Sequence, residues 1–482
     1  MIISRTKELE ALRSAKEADE SRFIAVYGRR RVGKTLLVRE AYGYHFVFQH
    51  AGLSPQDGGK TKKAQLDAFA VSLKKSGLGN FKKPETWLDA FSLLEDLINL
   101  SDESKKVIFI DELSWMDTRK SDFIPALEYF WNARMTARKD IVLVVCTSAT
   151  SWMMKKVVHS RGGLYNRLNL KINLQPFTLS ECEAFTAAKN IRMSRYQLLE
   201  CYMILGGIPY YWDQLNKSLG LSQNIDALFF ADHPILEDEF RYLYASVFNA
   251  PEPYIRIVTA LGKKKVGMYR DELLKETRIP DSGTFSELLS NLESCGFIRH
   301  YDEFGKTKRN KRYQLIDNFT LFYFKFLDQK PNDPHYWTNH LNTPVRNAWC
   351  SLAFERVCLE HISAIKHKIG IDGVVTDAVS WSCAGDLEKG LFGSQIDLLI
   401  VRKDQVINLC EMKYASAPYV ITKKTDENLR KKSAIWSLKP GQLTRFIQRS
   451  SHHMVLPKMN MKETCRYRSP QMIFSMMGEK RH

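Results

Sequence analysis

The sequence predicts an α/β protein. A parallel sheet carries a phosphate-type loop, a helical segment follows, then a module of three helices and a hairpin, and a second, smaller α/β module lies near the end. Three observations predict this. A β-branched strand runs through a glycine loop into a helix at "RFIAVYGRRRVGKTLLVREAY". An apolar strand ends in two acids at "KKVIFIDELSWMD". Far downstream, "GSQIDLLIVRKDQVINLCEMKY" reads as two strands joined by a tight polar turn and bearing acids and a lysine. Strands alternating with helices imply a parallel sheet with helices on both faces.

The first loop, Gly28-Arg29-Arg30-Arg31-Val32-Gly33-Lys34-Thr35, fits G-x-x-x-x-G-K-[ST] at every fixed position. Its glycines let backbone N–H groups face phosphate oxygens, and the following helix points its positive end at the same anion. Lys34 would reach the β and γ phosphates of ATP, and Thr35 would ligate Mg²⁺. The three arginines read either as a solvated basic turn or as a contact to phosphate or an acidic partner. Asp111 ends the second strand, where a carboxylate holds the Mg²⁺ shell. Glu112, one residue on, can orient and deprotonate an attacking water. A third strand, "DIVLVVCTSATSWM", ends at Thr147-Ser148, where a hydroxyl would sense the γ-phosphate.

A chain of 482 residues is long enough for three or four domains. Its net charge of +17 favours polyanionic partners: nucleotide, nucleic acid or an acidic protein. Nine scattered cysteines without a C-x-x-C pair read as reduced thiols of a cytoplasmic protein, and no membrane span is visible. Residues 178–248 read as helices. From 249 to 330, three helices and two alternating strands form a winged-helix pattern. Its third helix, 282–295, holds Glu287 and Glu293 and no Lys or Arg, so base reading in a phosphate-lined groove is disfavoured. The hairpin turn "KTKRNKR" is the opposite, and DNA backbone contact is expected there if anywhere.

Residues 346–482 hold 22 Lys or Arg against 13 Asp or Glu. Asp397 lies on the first of the two late strands; Glu411 and Lys413, two apart on the second, share a face. The acids would hold a hard divalent cation, and Lys413 would stabilise an oxyanion or activate a water. Upstream, Glu355 shares a helix face with Leu352, Leu359 and Ile362, so it needs a partner, and a metal site would be one. After Lys432 neither period is sustained, and six of the chain's 15 methionines fall in 433–482. That stretch reads as an aberrant or disordered basic tail, of the kind a shifted reading frame would leave.

The combination "YGRRRVGKT", "FIDELSWM", "CTSATSWM", "GGLYNR", "LQPFTLSE" and "LGGIPYYWDQL" resembles the archaeal-type ATPase family, within the AAA-like and STAND-like P-loop ATPases. The resemblance covers roughly residues 1–330. It implies a P-loop ATPase core (1–177), a helical lid (178–248) and a winged helix (249–330). It also places Arg167 of "LYNR" near the γ-phosphate. Thr147 departs from the pattern, where glycine is expected before the sensor serine. The pattern D…E-x-K with Glu355 resembles the PD-(D/E)xK nuclease superfamily, here over 344–432, a domain that bacterial members of the ATPase family often carry. Together these imply ATP hydrolysis with Mg²⁺ that controls a nuclease-like module. The alternatives are an ATP-gated, metal-dependent DNA endonuclease and a nucleotide switch or adaptor that does not cut. A homo-oligomer or a partner protein fits each.

Overall fold

The computed structural model describes residues 2–437 except 56–57, 160–161, 249, 303–310, 330, 384–393, 405 and 416–418, together with 453–455 and 471–473. Five parallel strands form the first sheet: β1 (Arg22–Tyr27), β2 (Phe48–Ala51), β3 (Lys106–Asp111), β4 (Ile141–Thr147) and β5 (Leu170–Asn173), in the order β2-β3-β4-β1-β5. β3 and β4 are buried at every position. That is why they read as unbroken apolar runs, since a parallel sheet is covered on both faces. Alternate residues feed two cores. Ile24, Val26, Val142 and Val144 join one. Phe23, Ala25, Leu143 and Val145 join the other, with Phe69, Trp87 and Phe91 from the flanking helices. The strand order reverses beside β1, so the loop after β1 opens at a crevice over the strand ends.

The helical segment begins with two capped helices. Thr178 and Glu181 form a capping box at Leu179–Ala188, and Ser194 and Gln197 form one at Arg195–Leu205. Three further helices, Glu252–Gly262, Arg270–Thr277 and Gly283–Ser294, pack with an antiparallel sheet of β6 (Met268–Tyr269), β7 (Ile298–Asp302) and β8 (Lys311–Leu315), in the order β6-β8-β7. The sequence pattern did not reveal β6, because two residues carry no period. The helix Gly283–Ser294 buries Phe285, Leu288, Leu289 and Leu292 and pairs Glu287 with Lys155 of the first domain at 3.0 Å. Its acidic character thus faces a neighbouring lysine within the chain. Of the expected basic turn, Lys306, Lys308 and Arg309 lie outside the described residues, Lys311 is exposed, and Arg312 stacks on Tyr269 at 4.3 Å.

A 17-residue helix, Pro344–Glu360, starts the last module and docks on the helical segment. Arg346 there forms a buried ion pair with Glu200, and Tyr414 stacks on Tyr196 at 5.2 Å. β9 (Thr376–Cys383), β10 (Ser394–Arg402) and β11 (Ile407–Cys410) are antiparallel neighbours. The sequence reading ended the ordered chain near residue 430. The helix Lys423–Ser437 runs past that point, β12 (His453–Val455) pairs in parallel with the outer edge of β11, and β13 (Gln471–Ile473) pairs in parallel with β12. An open strand edge offers unpaired backbone groups that any extended segment can satisfy. The rest of 438–482 lies outside the described residues. No helix among the described residues is long and apolar enough to cross a membrane.

Candidate functional site

The phosphate loop is built by backbone constraint. Gly28 has φ +142°, and a Cβ there would lie 2.3 Å from the Leu174 carbonyl oxygen, so no other residue fits. Gly33 (φ +92°) turns the chain into the helix Lys34–Ala41. Lys34 is buried, and its ammonium donates to the carbonyls of Gly28 (3.0 Å) and Arg29 (2.9 Å) and to Ser148 Oγ (3.2 Å). Three acceptors offset the cost of burying the charge. The lysine therefore spans the mouth of its own loop, where an incoming phosphate would compete for it.

The strand ends bring the remaining groups together. Thr35 Oγ1 donates to Asp111 Oδ2 at 2.6 Å. Glu112 sits in the left-handed region at φ +47°, a conformation uncommon for a non-glycine residue and typical of functional positions. That turn sends its carboxylate across to β4, where it accepts from Ser148 Oγ (2.9 Å) and Ser148 N (3.3 Å). Burial pushes the Glu112 carboxyl above its ordinary range; the Lys34 charge opposes the shift, and Asp111 adds to it. Thr147 is held away by Ser114 (2.8 Å), so Ser148 is the hydroxyl that meets the site. Lys34, Thr35, Asp111, Glu112 and Ser148 thus converge as the sequence expected. Arg167 does not. It is exposed, its N–H donates to the Leu164 carbonyl, and it is absent from the lining of the cleft. The loop around it carries the residue outward to the surface.

A cleft of about 520 Å³ opens over the loop. Arg30, Arg31, Glu112 and Ser148 form its polar wall; Ile2, Ile3, Phe177, Phe185, Pro209 and Tyr210 form its apolar wall. Sequence reasoning missed the apolar side, which comes from the N-terminal segment and the helical segment and carries no local motif. Arg29 and Arg31 are neither solvated nor aimed at the cleft alone. Arg29 pairs with Asp317 at 2.6 Å, and Arg31 pairs with Glu239 and lies 4.1 Å over the Tyr210 ring. As for a metal, one carboxylate beside one hydroxyl at the loop suits Mg²⁺, which takes few protein ligands and completes its shell with phosphates and water.

The late acids fare differently. The β10–β11 ladder ends at Leu398↔Cys410, because Asp397 Oδ2 takes the Met412 N–H at 2.9 Å; Glu411 and Lys413 therefore follow the strand instead of lying on it. Glu411 is buried, with Lys413 on one oxygen and Lys432 on the other, each at 2.7 Å. Glu355 faces Lys265 at 3.8 Å. Burial, and then the Asp397 charge, push the Glu355 carboxyl up to about 7. The acids feel one another, yet no group of three among the described residues is placed to hold a metal ion. The expected metal site of Glu355, Asp397 and Glu411 does not fit a cation as arranged, since lysines hold both oxygens of Glu411. Lys432 and Lys265 had no motif to mark them.

A strand–loop–helix carrying a lysine and a hydroxyl, with β3 ending at Asp111 one strand away across β4, is the arrangement of a P-loop ATPase domain. Residues 2–215 match the family described as an ATPase domain predominantly from Archaea. Uncharacterized protein MJECL04 of Methanocaldococcus jannaschii is 25% identical over 340 residues, which span 68% of this chain and 69% of that protein. Among solved structures, the chain is similar to the Walker-type ATPase paby2304 of Pyrococcus abyssi (16% identity, 66% of this chain and 95% of that one, TM-score 0.44). It is also similar to the ORC2 protein of Aeropyrum pernix in ADPNP–ADP complexes (13% identity, 75% and 96%, TM-score 0.40).

Proposed function

We propose that this protein binds ATP with Mg²⁺, hydrolyses it slowly, and uses the cycle to control its C-terminal module. The observation that carries the reading is the meeting of Lys34, Thr35, Asp111, Glu112 and Ser148 within one hydrogen-bonded cluster. The loop amides and Lys34 would bind the β and γ phosphates, Lys34 exchanging its carbonyl partners for phosphate oxygens. Thr35 and Asp111 would hold Mg²⁺, which supplies charge neutralisation on the phosphates. Glu112 would orient the attacking water and accept its proton, with Ser148 fixing the carboxylate. The apolar wall would receive the base.

A nucleotide-driven switch that does not cut is the second reading, and the two lysines on Glu411 favour it over an ATP-gated endonuclease. The 249–330 module is winged-helix-like in this proposal. DNA would meet its basic hairpin and the basic C-terminal module by backbone charge alone. Self-association or a protein partner is compatible with either reading. The test is phosphate release from ATP by the full chain, with and without EDTA. Chelation is expected to stop it, and release that persists in EDTA would overturn the Mg²⁺ assignment.

A further inference from the structure

The variable positions of the phosphate loop are where the other modules take hold of it. The Arg29 carbonyl accepts from Lys34 Nζ at 2.9 Å. The Arg29 guanidinium is buried on the far side of the loop, 2.6 Å from Asp317 and 4.7 Å over the Phe297 ring. Asp317 in turn caps the helix Asn318–Phe322, accepting from Thr320 N at 2.9 Å. One residue thus joins the phosphate-seeking lysine, through its backbone, to a helix cap in another module, through its side chain. A second cleft of about 590 Å³ runs beside the pair, between Gly28-Arg29 and the Cys295-Gly296 turn, and leaves room for the loop to shift.

We propose that Arg29 and Asp317 are a positioning pair that transmits phosphate occupancy of the loop to the helix Asn318–Phe322. The proposal rests on the ATP reading above. A phosphate draws Lys34 away from the Arg29 carbonyl, the loop readjusts about its glycines, and Arg29 carries Asp317 with it. The pair moves as a unit because separating two buried partners leaves an uncompensated charge. Arg31 with Glu239 makes the corresponding link to the helical segment.

The test is hydrogen exchange of the full chain with and without adenosine 5′-thiotriphosphate and Mg²⁺. Nucleotide binding is measured first with a fluorescent ATP analogue. In the unmodified chain, nucleotide is expected to change exchange at amides 316–322 by about fivefold or more. Asp317→Asn keeps an oxygen for the cap; it should bind the analogue with unchanged affinity and lose that response. Should Asp317→Asn fail to fold, Arg29→Gln combined with Asp317→Asn removes both charges together, and it is expected to fold and to lack the response. A response retained in either variant overturns the proposal, as does nucleotide binding without any response at 316–322. Failure of the unmodified chain to bind the analogue overturns the ATP reading itself, and the proposal with it.

Discussion

Asp111 and Glu112 at the end of β3, and Asp397 within β10 with Glu411 just after β11, are both acid pairs delivered by sheet strands. Their neighbours differ. Glu112 accepts from a serine hydroxyl and Asp111 from a threonine hydroxyl, each with one backbone N–H besides, and the hydroxyls are partners that water, phosphate or metal can displace at modest cost. Glu411 accepts from two ammonium groups, and Asp397 from a backbone N–H. The two ammonium groups add a Coulomb attraction to Glu411 that a neutral hydroxyl or N–H donor lacks. The first site is held ready for a ligand, whereas the second already has its partners. An acid's chemistry thus depends on what a ligand must displace to reach it.

The sharpest break of this contrast is Glu112→Gln. Removing the proton acceptor while keeping the shape should slow turnover by about 10²–10⁴ and leave ATP affinity within about threefold. Equal losses in both would contradict the role. Lys34→Ala should then weaken ATP binding by about 100-fold in a direct titration, since a buried cation aimed at phosphate is lost. Unchanged affinity would move the nucleotide elsewhere.

At the other site the contrast can be read through pH. The Glu355 carboxyl binds its proton more tightly in the folded protein, at about 7, than in an unfolded chain, where about 4.5 is ordinary. Its contribution is therefore fully present below about pH 4.5 and is lost as pH rises through 7. Glu355 is partly screened by solvent, so about 1–3 kcal/mol is at stake. Glu355→Gln should flatten the thermal unfolding curve between pH 5 and 8 relative to the unmodified chain. An identical pH profile would show that the carboxyl is not held neutral.

Smaller still is the effect expected at the hairpin. Replacing Lys308, Arg309, Lys311 and Arg312 with Ser should lower the salt dependence of DNA binding by about one to three phosphate contacts. Arg312 counts least, because it stacks on Tyr269. Finally, Asp397→Ala should change nothing in a Mg²⁺ plasmid-nicking assay, because the unmodified chain is expected to leave the plasmid intact. Cutting that Asp397→Ala abolishes would erase the contrast between the two sites.

The loop, the acids of β3 and the hydroxyl of β4 were legible in the sequence because each sits at a fixed distance from a strand end, and local spacing encodes them. The antiparallel β10–β11 pair and the helix bearing Glu355 were legible for the same reason. The partners were not. Asp317 and Glu239 are more than 200 residues from the arginines they neutralise, and no spacing rule reaches that far. Lys432 escaped for a related reason: on a surface helix rich in lysine, nothing distinguishes the one that turns inward. Arg167 shows the opposite failure, where a motif suggested a position that the loop does not deliver.

One buried apolar cluster runs without interruption from Leu12 and Ile24 through Tyr211, Phe285 and Phe319 to Leu398 and Met412. The match to the ATPase-domain family ends at residue 215, in the middle of it. The family match and the folded core therefore have different borders here. A recombination that exchanged residues 2–215 for a relative's would transplant the nucleotide machinery intact but tear the seam of Tyr211 against Phe319, and strand Asp317 and Glu239 without their arginines. The modules can have evolved as separate pieces, but in this chain they can only be replaced together with the surfaces that face them.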